Sequence, residues 1–174
     1  MALRLLDIIV TRRKEIDRKT TNVSSIFSYL QEIYDETKNP EDGRVKVDIC
    51  WEKGELYAEE NLLKTVLINL TDNAIKASEE GQTVEITGRR MENGYYFQVR
   101  DEGIGIPEEE LQKITEAFYM VDKSRSRAHN GAGLGLALCT AILELHHSRL
   151  KIESTLGVGS CMSFLIPDEG GEVG

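Results

Sequence analysis

The sequence predicts a two-layer α/β sandwich, with a mixed, mostly antiparallel sheet covered by helices on one face. Two observations carry that prediction. The segments run helix, helix, strand, helix, two strands, helices, two strands, so strands and helices are segregated rather than strictly alternating. The 174 residues, 40% apolar and 29% charged, suffice for one core and are short for two.

Each element has its own warrant. Residues 3–19 begin LRLLDIIV and turn into RRKEIDRK, which reads as a helix whose apolar face gives way to charge. Residues 1–22 are therefore assigned to a linker helix, the end of something longer. Ser24 or Ser25 is expected to cap a second helix reaching about Thr37, with Ile26, Phe27, Leu30, Ile33 and Tyr34 as its recurring apolar positions. Asn39-Pro40 stops it, and VKVDIC at 45–50 alternates as a half-buried strand should. The strongest helix spans about Glu59 to Ser78, where Leu63, Val66, Leu67, Leu70 and Ala74 repeat at spacings of three and four. TVEIT at 83–87, the turn residues Glu92, Asn93 and Gly94, and YYFQVRD at 95–101 make a hairpin. DEGIGIP is a Gly-rich loop whose Pro107 suits the first turn of a short helix carrying Glu108, Glu109 and Glu110. Residues 119–132 form a long polar loop, the kind that often serves as a binding loop or lid, and a helix opens at Gly133 or Leu134 and reaches about Leu145. RLKIES at 149–154 and SCMSFLIP at 160–167 complete a final hairpin, so the main domain is 23–167 and residues 168–174 are a flexible tail.

Composition narrows the function classes. A net charge of −9 argues against a nonspecific nucleic-acid surface, although Lys123, Arg125 and Arg127 gather positive charge in one short segment. The longest nearly apolar stretch, Leu134 to Leu143, is about half the length that crosses hydrocarbon, so no direct membrane insertion is expected. Cys50, Cys139 and Cys161 lie far apart without metal-ligand spacing, which predicts reduced, buried thiols and a cytoplasmic setting. No secretory signal is apparent at the start.

Three constellations carry chemistry. At 100 degrees per residue, Asn69, Asn73 and Lys76 share an arc of about 60 degrees, away from the apolar stripe of the same helix. An Asn carbonyl oxygen can ligate Mg2+ shared with phosphates, and a lysine one turn along can reach a phosphate oxygen. Taken alone, the pattern fits a solvated helix face equally well. Asp101 ends a strand and precedes Gly103, Gly105 and Ile106; as an acceptor it suits an exocyclic amine such as that of adenine. Alone, this too is an ordinary strand end. GAGLGLAL places Gly131, Gly133 and Gly135 before an apolar helix, where backbone N–H groups can meet phosphate oxygens. It is neither the dinucleotide fingerprint nor a Walker loop.

LLKTVLINLTDNAIKAS, DEGIGIP, TEAFYMVDKSRSR and GAGLGLAL, in that order, closely resemble the ATP-binding catalytic domain of bacterial sensor histidine kinases. That domain belongs to the wider family shared with gyrase, the Hsp90 chaperone and MutL. The resemblance covers about residues 43–167 and implies a Bergerat-type sandwich with ATP and Mg2+ as cofactors. It implies that Asn73 is the metal ligand, Asn69 assists metal and phosphate, and Lys76 contacts phosphate. Asp101 would recognise adenine beside Gly103, Gly105 and Ile106. Phe118 would pack beneath a lid bearing Lys123, Arg125 and Arg127, and Gly131, Gly133, Leu134, Gly135 and Leu136 would form the last nucleotide-binding segment.

The hydrolytic relatives carry a glutamate one turn before the metal asparagine, where this chain has Asn69. An amide is no general base, so the expectation is transfer rather than hydrolysis. The implied partners are a histidine-bearing dimerisation domain of the same full-length kinase and a downstream response regulator, with the isolated segment a monomer. His129, His146 and His147 lack the context of an acceptor and read as surface or packing residues. A second departure is His147-Ser148, where such kinases commonly have two glycines, so the turn is made differently. Asp72 is rotated about 100 degrees from Asn73 and is not nominated as a base. Alternatives at this point are a stand-alone serine kinase of the anti-sigma type and a noncatalytic nucleotide-switched interaction module.

Overall fold

The structure, a computed structural model, describes residues 16–35, 45–114 and 135–169. In chain order the elements are β1 (Lys19–Asn22), α1 (Val23–Ile33), β2 (Lys46–Trp51), β3 (Glu55–Ala58), α2 (Glu60–Ala77), β4 (Thr83–Met91) and β5 (Gly94–Asp101). A 3-10 turn at Glu108–Glu110, then α3 (Gly135–Leu145), β6 (Lys151–Thr155) and β7 (Gly159–Pro167) complete them. The main sheet has the order β2-β4-β5-β7-β6. Its β2–β4 pair is parallel and its other pairs are antiparallel, while β1 and β3 form a separate antiparallel pair. The expected mixed, mostly antiparallel sheet is present.

One face of the sheet buries Val84, Ile86, Tyr95, Phe97, Val99, Met162, Phe164 and Ile166 against Ile26, Phe27 and Leu30 of α1, Leu63, Val66, Leu67 and Leu70 of α2, and Leu138, Cys139, Ile142 and Leu143 of α3. Removing these side chains from water is the main drive to this arrangement. Rings form a column through the core: Trp51 stacks on Phe27 with centroids 5.1 Å apart, Phe27 on Phe97 at 5.7 Å and Phe97 on Phe164 at 5.0 Å. Gly88 sits in mid-strand because the rings of Phe27 and Tyr95 fill the place a Cβ would need.

Several boundaries differ from the sequence expectation. The helix expected over 3–19 meets the described residues at Ile16, and there Ile16–Arg18 are irregular and Lys19 already belongs to β1. Pairing with Glu55–Ala58 engages the backbone of Lys19–Asn22 in a ladder instead. The cap of α1 is Asn22, whose side chain accepts from the Ser24 N–H at 2.9 Å, rather than Ser24 or Ser25. That helix ends at Ile33 rather than near Thr37, with the Tyr34 N–H returning to the Leu30 carbonyl. The β4–β5 hairpin is longer than expected, its register running to Met91 opposite Gly94. Cys139 is buried as expected, whereas Cys50 is exposed on the outward side of edge strand β2. No helix among the described residues is long and apolar enough to cross a membrane.

Candidate functional site

Helix α2 starts from Glu59, whose carboxylate accepts from the N–H groups of Asn61 and Leu62. Its stripe of Leu63, Val66, Leu67, Leu70, Thr71 and Ala74 is buried. The stripe fixes the rotation of the helix and so leaves Asn69 and Asn73 half-buried on another side, with Lys76 exposed at its end. Helix α3 packs antiparallel to α2: its last turn reaches Glu59, and its first residue, Gly135, lies against the asparagines. A Cβ on Gly135 would stand 3.5 Å from Asn69 Oδ1 and 4.0 Å from Asn73 Nδ2. The Asn69 Nδ2 group donates to the Thr65 carbonyl at 2.9 Å, which leaves its Oδ1 facing the start of α3.

The carboxylate of Asp101, 7% exposed, accepts from the Gly103 N–H at 2.9 Å. Burial pushes its pKa above the usual carboxylate range, an effect tempered by backbone N–H groups of Gly103 and Ser160. The loop after it is pinned on both sides. The Ile104 N–H donates to the Ala77 carbonyl at 3.0 Å, beside Lys76, and the Ile104 carbonyl accepts from Gly157 at 2.7 Å. At Gly103 a Cβ would strike the Ala77 carbonyl, and at Gly105, whose φ is +71°, it would strike that of Thr155. These glycines let the loop lie directly against the last turn of α2 and the β6–β7 turn.

The structure thus gathers Asn69, Asn73 and Gly135 at one point, and fastens the loop of Asp101, Gly103, Gly105 and Ile106 to the last turn of α2 through the backbone bond at Ala77, the residue after Lys76. Leu136 and Ile106 are partly buried against the core. Phe118, Lys123, Arg125, Arg127, Gly131, Gly133, Leu134 and His129 lie outside the described residues.

Other side chains singled out in the sequence have settled roles. Asp72 is exposed, and its Oδ1 accepts from the Tyr34 hydroxyl at 2.9 Å, which ties it to α1. Burial, and after it the Asp72 charge, raises the Tyr34 phenol far above its ordinary pKa. His146 is buried; its Nδ1 lies 2.8 Å from the Ile142 carbonyl and its Nε2 accepts from the Glu59 N–H at 3.0 Å. Donation from Nδ1 fixes the neutral tautomer. His147 makes the turn expected of a glycine by adopting φ +57°, and the Ser148 N–H closes the helix end on the Leu143 carbonyl at 2.8 Å. Both histidines are packing or turn residues.

Sequence reasoning missed one polar row. Asp101, Ser160 and Ser154 are directly opposite one another across β5, β7 and β6. The available signal was that Ser154 and Ser160 share the inward alternation with Ile152, Met162 and Phe164, at positions where apolar residues are the rule.

A family model described as histidine kinase-, DNA gyrase B- and HSP90-like ATPase matches residues 58–170. The chain belongs to this family. Among its ATPase-family relatives, the circadian input-output histidine kinase CikA of Synechococcus elongatus is 42% identical over 112 residues, which cover 64% of this chain and 15% of CikA. The catalytic domain of histidine kinase ThkA superposes with a TM-score of 0.72 at 27% identity, covering 88% of this chain and 97% of that domain. ThkA in complex with the response regulator protein TrrA gives a TM-score of 0.69 at 26% identity, over 96% of this chain and 47% of that one. The chain spans less than a third of the length of the curated relatives it matches. Among the described residues, the candidate site residues are carried by α2, the Asp101 loop and the Gly135 end of α3.

Proposed function

We propose that this domain binds Mg2+-ATP and transfers its γ-phosphoryl group to a histidine on a separate dimerisation domain of the same kinase. A response regulator is the downstream partner, and the domain lies in the cytoplasmic part of a sensor kinase. The observation that carries this reading is the convergence of Asn69, Asn73 and Gly135 on one side, joined through Ala77 to the Asp101 loop on the other. Its kinship with CikA and ThkA, and the ThkA complex with a response regulator, support the kinase class.

The residues fit Mg2+ held jointly with phosphates. Each of the two amide side chains carries a hard oxygen atom: Asn69 Oδ1 faces the space at Gly135 that a Cβ would take, and turning over the Asn73 amide, whose Nδ2 faces Gly135, would bring its oxygen to the same space. No group of three His, Cys, Asp or Glu gathers among the described residues, so phosphate and water would supply the remaining ligands. Asn73 would hold the ion, with Asn69 beside it, and Mg2+ would neutralise phosphate charge. Lys76 would take a phosphate oxygen, while Asp101 accepts from the adenine amine. In the transfer, the lone pair of a neutral imidazole nitrogen forms the N–P bond as the bond from the γ-phosphorus to its bridging oxygen breaks. ADP leaves with that electron pair, and the imidazole proton is lost to solvent.

Neither Asn69 nor Asp72 is set to assist water attack. Asn69 cannot accept a proton at neutral pH, and Asp72 is engaged by Tyr34. Calorimetry should show Mg2+-dependent ATP binding that Asn73→Ala abolishes. Incubation with a histidine-bearing dimerisation domain should yield acid-labile phosphate; acid-stable phosphoserine, or tight binding without transfer, would refute the kinase assignment.

A further inference from the structure

The geometry points to Ser154 as a positioning residue that sets base selectivity by fixing the hydrogen-bond polarity of Ser160 beside Asp101. This inference rests on the ATP reading and names a further determinant of the same site. The Ser154 Oγ atom accepts from the Ile106 N–H at 2.8 Å, contacts the Gly159 carbonyl at 3.0 Å and lies 2.7 Å from Ser160 Oγ. One hydroxyl therefore joins the loop carrying Gly103 and Gly105, the β6–β7 turn and the residue paired with Asp101.

The proton count decides the polarity. Ser154 has a single proton, and one arrangement satisfies every group: Ser154 donates to the Gly159 carbonyl and accepts from both Ile106 and Ser160. Reversing the serine pair would leave the Gly159 carbonyl without that donor in a partly buried position. In the satisfied arrangement the Ser160 proton is spent on Ser154, so Ser160 faces its other surroundings as an acceptor only. Asp101, ionised, is an acceptor as well. The row then favours a ligand edge bearing an amine and disfavours one bearing a carbonyl, and a buried acceptor left facing a carbonyl carries the full desolvation penalty. Without the Ser154 hydroxyl, Ser160 regains a free donor and the Ile106 N–H loses its acceptor.

The test compares wild type, Ser154→Ala and Ser154→Thr by calorimetric titration with Mg2+-ATP and Mg2+-ITP, whose bases differ in carrying an amine or a carbonyl at position 6. Amide hydrogen exchange at Ile106 is followed in the nucleotide-free proteins. Wild type should prefer ATP. Ser154→Ala should narrow the ATP-to-ITP affinity ratio about tenfold and speed exchange at Ile106, and Ser154→Thr, which keeps the hydroxyl, should restore both. A ratio unchanged in Ser154→Ala overturns the inference, including the case in which both affinities fall together. So does failure of Ser154→Thr to restore it. A wild-type protein that binds neither nucleotide overturns the ATP reading and this inference with it, whereas normal ATP preference in Ser154→Ala overturns this inference alone.

Discussion

Acidification should loosen the α2–α3 pairing through one side chain, His146. Its Nε2 accepts from the Glu59 N–H while Nδ1 donates to the Ile142 carbonyl, so the folded state holds the neutral ring. Burial, at 1% exposure, drives the pKa from the ordinary 6.5 down to about 4; the Ile142 carbonyl opposes that shift, and the nearby charges of Arg18 and His147 add to it. The unfolded chain therefore binds the proton more readily, and stability rises with pH across this window. The contribution is complete above about 6.5 and is lost as pH falls toward about 4. The full difference is about 3 kcal/mol, of which about 2 kcal/mol is gone by pH 5. This is a large share of the ~5–15 kcal/mol typical of a domain. Urea unfolding followed by the fluorescence of Trp51, the single tryptophan, would measure it at pH 7.5 and pH 5. His146→Gln keeps an acceptor for the Glu59 N–H but does not titrate, so its stability should change about 2 kcal/mol less between the two conditions. Parallel losses in wild type and variant would refute the reasoning.

Other consequences are equally open to measurement. His147→Gly should raise stability by about 1 kcal/mol, because glycine takes the left-handed conformation at the end of α3 without the steric cost of a Cβ; a lower urea midpoint would contradict this. Asp101→Asn should raise stability at neutral pH and abolish ATP affinity, seen as a higher urea midpoint with no calorimetric binding. The sign follows from the raised carboxyl pKa: the folded state binds that proton more readily, so the ionised group costs stability once pH exceeds the carboxylate range. Gly105→Ala should lower stability by more than about 1 kcal/mol and weaken nucleotide binding, because φ is +71° and the Thr155 carbonyl occupies the Cβ position.

Helix α2 and the β4–β5 and β6–β7 hairpins are legible in the sequence because their apolar periodicities are long and their turns carry glycine. The common side of Asn69, Asn73 and Lys76 follows from helical geometry alone. Strands β1 and β3 are not legible, since four residues hold barely two alternations and each strand exists only by pairing with the other across α1 and β2. The sequence expectation ended β4 at Thr87, one residue before Gly88, whose meaning depends on the Phe27 ring arriving from α1. The links made by His146 and Ser154 depend on helix direction and strand register, which no local window contains. For the same reason Asp72 reads as a bare neighbour of Asn73 until Tyr34 is seen to hold it.

Strands β2 and β4 run side by side in the same direction, so the chain between them must travel back along the sheet, and α2 makes most of that return journey. The helix that bears the asparagines is consequently also the strap fastening the sheet's outermost strand to its neighbour. One residue inserted or deleted between the buried Leu63–Leu67 stripe and Asn69 would rotate the amides by about 100 degrees away from Gly135, so this stretch has little freedom to vary in length.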